Sequence, residues 1–123
     1  MSMKIRIRQA NGVTIVDCKG RMDRSVGSVV LRDAVREVLS KGQTKILLNL
    51  GEVNYIDSSG IGELVSAFSA VCREGGAIKL LNLTEKVDDV FQITKLYDVF
   101  DVQDDEAGAI KSFNADTAAN AAS

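Results

Sequence analysis

The chain contains no histidine. Nucleophile pairs of the Ser–His or Cys–His kind are therefore excluded, as is any metal site built on imidazole. Cysteine is scarce. Cys18 and Cys72 stand far apart and form no C-x-x-C pair, so both read as buried small apolar residues of a reducing compartment, not as a disulfide. No charge of one sign dominates: 15 Lys and Arg face 17 Asp and Glu, for a formal net charge of -2. That balance gives no broad attraction to nucleic acid or to an anionic membrane. No apolar run approaches the ~20 residues of a membrane span. The opening Met1-Ser2-Met3-Lys4-Ile5-Arg6 lacks the apolar stretch of a signal peptide. The expectation is a soluble, cytoplasmic protein that meets neither membrane nor nucleic acid.

What is present suffices for one domain. The 123 residues are 46% hydrophobic and 26% charged, ordinary values for a globular protein. A chain of this size buries roughly two-thirds of its unfolded surface and needs no staples. Lys4-Ile5-Arg6-Ile7-Arg8 alternates as a strand with one wet face, and Val13-Thr14-Ile15-Val16-Asp17-Cys18 is a second strand. Asn11-Gly12 between them predicts a tight type I′ hairpin. After Gly20-Arg21-Met22-Asp23 the period changes to that of a helix, with Val26, Val29, Val30, Val35, Val38 and Leu39 as its apolar stripe. Asp23 or Ser25 can cap its start, and Lys41-Gly42 suits its end.

The nearly continuous apolar run Lys45-Ile46-Leu47-Leu48-Asn49-Leu50 predicts a central strand. A second helix follows Asp57, with Ile61, Leu64, Val65, Phe68 and Cys72 on one face, and Gly75-Gly76 ends it. Ala77-Ile78-Lys79-Leu80-Leu81 is the next strand. Thr84 caps a third helix whose inward residues are Val87, Val90, Phe91 and Leu96, and residues 97–102 turn into a short last strand. Asp104-Asp105-Glu106 opens a final helix expected to end near Phe113. Residues 114–123 carry no core pattern and read as a frayed tail. A hairpin followed by helix–strand alternation predicts the α/β class, with one mixed sheet whose later strands are parallel and helices packed against it.

The candidate site is Asp57-Ser58-Ser59-Gly60-Ile61-Gly62, between an apolar strand and an amphipathic helix. Here backbone N–H groups lack intrahelical partners and the helix dipole is positive. A hydrolase elbow is ruled out, since the G-x-S-x-G pattern and the histidine are both missing. A phosphate-cradling loop is disfavoured: there is no G-x-x-x-x-G-K-[ST], and Gly60-Ile61-Gly62 lacks the third dinucleotide glycine. Asp88-Asp89 and Asp104-Asp105 read as solvated surface, because no D-x-[DN]-x-[DN]-G loop is present. No cofactor or metal is expected. Capping explains Asp57 and the serines. It does not explain two glycines in the first turns, each costing up to ~1 kcal/mol against alanine. Close packing on the sheet and close approach by a partner both account for them at this level.

The hexapeptide resembles the phosphorylation-site motif of STAS domains of the anti-sigma-factor antagonist (anti-anti-sigma factor) family. Gly20-Arg21-Met22-Asp23 is similar to that family's G-x-[hydrophobic]-D element, Leu47-Leu48-Asn49-Leu50 to its central strand, and the Gly75-Gly76 turn and Phe91-Gln92-Ile93-Thr94 also fit. The resemblance spans about residues 4 to 113 and implies a STAS domain over 1–113. It implies a bacterial, non-enzymatic regulator of transcription that works by partner switching. The chain would bind an anti-sigma factor that is also a serine kinase of the histidine-kinase-like ATPase type, carrying its own ATP or ADP, and so free a sigma factor. The kinase would phosphorylate Ser58 and end the interaction, and a serine phosphatase would reset it. The partner-binding residues implied are Asp23, Asp57, Ser58, Ser59, Gly60, Ile61 and Gly62, on a protein monomeric when free. Lys95 departs from the family, many of whose members have glycine there. The alternative is the same module as a subunit of a lipid-transport or stress-signalling scaffold complex.

Overall fold

Asn11 and Gly12 take positive φ, 50° and 81°. They join β1 (Met3–Ala10) to β2 (Val13–Met22) as the expected antiparallel hairpin, with Ala10 opposite Val13. The computed structural model describes residues 3–122. Beyond the hairpin, β2, β3 (Lys45–Ile56), β4 (Ala77–Leu81) and β5 (Val102–Gln103) are parallel. Together they form one mixed sheet in the order β1-β2-β3-β4-β5. Between them lie α1 (Gly27–Ser40), α2 (Ser58–Arg73) and α3 (Glu85–Thr94), the last followed by a 3-10 turn at Leu96–Asp98. Helix α4 (Glu106–Ala122) follows β5. Among the described residues no helix is long and apolar enough to cross a membrane.

Alternation along the central strands divides the core. Val16, Leu48 and Leu80 point to one face and pack with Leu31, Val35 and Val38 of α1, Leu64 and Val71 of α2, and Val87 and Phe91 of α3. Val13, Ile15, Leu47 and Leu81 point to the other, where Ala109, Ile110 and Phe113 of α4 cover them. Three helices therefore share one face and a single helix serves the other.

Strand β3 runs 12 residues, past Leu50, where the apolar run read from the sequence stops. The extension pairs with β2 alone, Val53 beside Gly20 and Ile56 beside Met22, across two register shifts. Both strands thus end level, which sets where α1 and α2 begin.

The inward faces of those helices differ from the expected stripes. On α1, Gly27, Leu31, Ala34, Val35 and Val38 are buried, while Val26 and Val29 are 39% and 40% exposed. On α2 the inward line is Gly60, Leu64, Ala67 and Val71; Val65 and Cys72 are exposed. In both, a glycine lies nearest the sheet, so the inward line is set by small residues that a count of bulky side chains overlooks. Cys72 is thereby corrected from buried to exposed, whereas Cys18 is buried, its thiol pushed up to about 12 by desolvation. Both thiols are free.

Thr84 caps α3, its Oγ1 accepting from Val87 N–H at 3.4 Å and donating to Val53 O at 2.7 Å. Lys95, where the family resemblance leads one to expect glycine, ends that helix at φ 60°, ψ 29°. This is the left-handed region, which glycine enters without a Cβ penalty. Helix α4 continues to Ala122, beyond the expected end near Phe113, and the good helix propensity of alanine accounts for the extension. Of the tail expected over 114–123, Ser123 lies outside the described residues. The start of α4 is tied to the sheet by Arg8. Its guanidinium donates to Asp17 (Nε–Oδ2 2.7 Å) and to Glu106 (Nη2–Oε1 2.5 Å), and both carboxyls are held below the usual range by these bonds.

Two outcomes are expected. Lys95→Gly raises stability by up to about 1 kcal/mol, read from the urea midpoint. Arg8→Ala lowers it by about 1–2 kcal/mol at pH 7, since these charge-assisted bonds are partly open to solvent. Because the folded-state pKa values of Asp17 and Glu106 are depressed, their contribution is complete above about pH 5 and lost as pH falls through and below about 4. The gap between Arg8→Ala and the parent chain should therefore close in acid, as urea titrations at pH 7 and pH 3 will show.

Candidate functional site

Strands β2 and β3 deliver the chain to one end of the sheet, and α1 and α2 both start there. Parallel strands place their carboxyl ends, and the helix N-termini that follow them, on the same edge, the usual location of sites in open α/β sheets. Asp57 is the N-cap of α2. Its Oδ1 accepts from Ser59 N–H at 2.9 Å and Gly60 N–H at 3.1 Å, while its Oδ2 accepts from Arg24 N–H at 3.3 Å. Its own N–H donates to Met22 O at 3.4 Å. One carboxylate thereby caps a helix and ties it to the loop that leads into the neighbouring helix.

That loop is shaped by Asp23. Its Oδ1 accepts from Ser25 Oγ (2.7 Å), Ser25 N–H (3.2 Å) and Val26 N–H (3.4 Å), and its Oδ2 from Arg21 Nε (3.2 Å). The Ser25 hydroxyl, the Val26 N–H and the Arg21 guanidinium hold its carboxyl well below the usual range. The N-cap of α1 is Val26, with no side-chain cap bond; the expected capping by Asp23 or Ser25 becomes an Asx-type turn just ahead of the helix. Arg21 also lies over the Tyr55 ring, 3.9 Å from its centroid.

The two glycines of the hexapeptide do different things. A Cβ on Gly60 would lie 2.2 Å from Met22 O and 2.9 Å from Ile56 Cγ1. Gly60 therefore lets α2 descend onto the strand ends, and Gly27 does the same for α1, where a Cβ would meet Arg21 O at 2.1 Å. A Cβ on Gly62 would meet nothing within 4 Å. Internal packing explains Gly60 and leaves Gly62 without a reason inside the molecule.

All seven residues singled out in the sequence come together. Ser58 and Gly62 are exposed, Asp23, Asp57, Ser59 and Ile61 are half-buried, and Gly60 is buried beneath them. The sequence reading missed Arg24, which reaches Asp57 through its backbone, and Gly27. The signal for Gly27 was a glycine at the head of a helix, the same costly placement that drew attention to Gly60. Chemically the site offers an uncovered hydroxyl beside a carboxylate whose Oδ1 is engaged by two helix N–H groups. Among the described residues no group of three Asp, Glu or Cys side chains is placed to hold a metal ion.

Comparison with known proteins agrees with this geometry. The STAS domain model matches residues 4–109. An anti-sigma-B factor antagonist of Bacillus subtilis is 30% identical over 111 residues, covering 90% of this chain and 100% of the relative. The crystal structure of a putative anti-sigma factor antagonist from Thermotoga maritima superposes with a TM-score of 0.82 at 25% identity, over 89% of this chain and 94% of that one. The Bacillus cell fate determinant SpoIIAA in its phosphorylated form superposes with a TM-score of 0.68 at 21% identity, over 89% and 98%; at that identity the likeness is one of fold. A five-stranded mixed sheet with two helix starts gathered over level strand ends, and a family model matching nearly its full length, make this chain a member of the STAS domain family.

Proposed function

We propose that the protein is an anti-sigma factor antagonist that docks through the Ser58 turn onto an anti-sigma factor with serine kinase activity, releasing a sigma factor, and is switched off by phosphorylation of Ser58. The observation that carries this reading is the pairing of an exposed hydroxyl at Ser58 with open space over Gly62. Bare backbone in a first helical turn costs stability, and here nothing inside the molecule gains from it, whereas an approaching protein does. The relative from Bacillus subtilis is named an anti-sigma-B factor antagonist, which supports the general role.

Electrostatics makes phosphate an effective release signal. Phosphorylation adds about -1.5 to -2 charges. The helix N-terminus would welcome an anion by only ~0.3–1 kcal/mol when exposed, and Asp57 already accepts the N–H groups of Ser59 and Gly60. Repulsion from Asp57 at about 5 Å, with an effective dielectric near 20, is roughly 3 kcal/mol per unit charge before screening. In solvent the domain tolerates this. Covering an unpaired dianion in an interface adds several kcal/mol more, so a several-hundredfold loss of affinity follows at about 1.4 kcal/mol per decade.

Incubation with the cognate kinase and ATP is expected to modify Ser58, mapped by mass spectrometry, and Ser58→Ala to abolish labelling. Normal labelling of Ser58→Ala would refute the assignment. The glycines should separate stability from binding. Gly60→Ala forces a Cβ against Met22 O and lowers stability by about 1–3 kcal/mol. Gly62→Ala raises it by about 0.5–1 kcal/mol yet weakens partner affinity, as denaturation and titration calorimetry on one preparation will show.

A further inference from the structure

Below the Ser58 turn, α1 and α2 leave a groove of about 370 Å³ between them. Its charged lining is Arg32 and Arg36 of α1 with Glu63 and Arg73 of α2, over a floor that includes Val35 and Ala67. Arg32 and Glu63 face each other across it, Nε to Oε1 3.6 Å. The Glu63 side chain is 12% exposed, and this inward oxygen accepts no hydrogen bond. One carboxylate is set against three guanidiniums, a local excess of positive charge on a chain whose net charge is -2.

The spacing of the charges selects the occupant. On α1, Arg36 stands about 6 Å of helical rise beyond Arg32; on α2, Arg73 stands about 15 Å beyond Glu63, the residue that faces Arg32, so the three arginines extend over about that length. Positive charge strung over such a length is too dispersed for one compact anion and suits a linear segment with several carboxylates. The planar fork of arginine matches carboxylates bidentately, and the apolar floor accepts the stems between them. The groove begins beside the docking turn: Glu63 is five residues, about 8 Å of rise, beyond Ser58.

We propose that this groove receives an acidic segment of a protein partner, whose carboxylates pair with Arg32, Arg36 and Arg73. The inference borrows from the function proposed above only that the occupant is a protein, and it does not require modification of Ser58.

The test is an NMR titration of the isotope-labelled full chain with a capped peptide of about twelve residues carrying glutamate at every third position. Expected are saturable amide shifts centred on Arg32, Arg36 and Arg73, absent with the glutamine version of the peptide and suppressed as salt rises from about 50 to 500 mM. Arg36→Glu and Arg73→Glu, each shown folded by its own spectrum, should weaken binding about tenfold or more. Absence of saturable shifts, equal shifts with the glutamine peptide, or unchanged affinity in both variants would overturn the proposal. The same shifts produced by sodium phosphate or ATP would also overturn it, by making the groove a small-anion site. Ser58→Ala should bind the peptide as the parent chain does, so failure of the phosphorylation reading would be visible separately.

Discussion

The first turn of α2 rests on the last carbonyl of β2, and the site depends on that contact. It is permitted because residue 60 has no side chain: any Cβ there would overlap Met22 O. Once α2 is seated, the Asp57 N–H reaches the same carbonyl, its carboxylate caps the helix, and its second oxygen takes the Arg24 N–H. Gly27 repeats the arrangement for α1 over Arg21 O. Two helix starts, two strand ends and the Asp23 turn are thereby fixed to one another, and Ser58 is held outward on a rigid base. Preorganisation of this kind lowers the ordering cost a docking partner meets.

Rigidity also bears on the proposed switch. A hydroxyl on a mobile loop could carry a phosphate away from an interface. On the first turn of a helix where Asp57 already takes the Ser59 and Gly60 N–H groups, a phosphate on Ser58 would have little room to retreat. Under the proposed function, the fold would supply the position and Asp57 the repulsion, and the regulatory step would need no rearrangement of the domain.

Most of the architecture was legible in the sequence because its signals are local. Asn11-Gly12 specifies the hairpin, Thr84 the cap of α3, and the apolar run at Ile46–Leu48 the central strand, and each is met as read. What was not legible is tertiary. The inward stripes of α1 and α2 were misplaced because Gly27 and Gly60 set the distance to the sheet, and a glycine carries no hydrophobic signal. Cys72 was misassigned with them. The extension of β3 through Ile56 was hidden because it pairs on one side only and contains Gly51, Glu52 and Asn54, poor strand formers. Within the site the motif was visible as a string. The division of labour between Gly60 and Gly62 was not, since it depends on what lies across from each.

The sheet's outer margins bear on how such a molecule keeps its own company. One margin, β5, is two residues long. The other, β1, is an eight-residue edge strand paired on one side only, so its outward backbone groups are open to strand addition. Lys4 and Arg6 stand exposed along it at alternate positions, and a second copy pairing antiparallel about Arg6 would bring like charges together across the seam. Like charge along this margin therefore opposes edge-to-edge growth of the sheet.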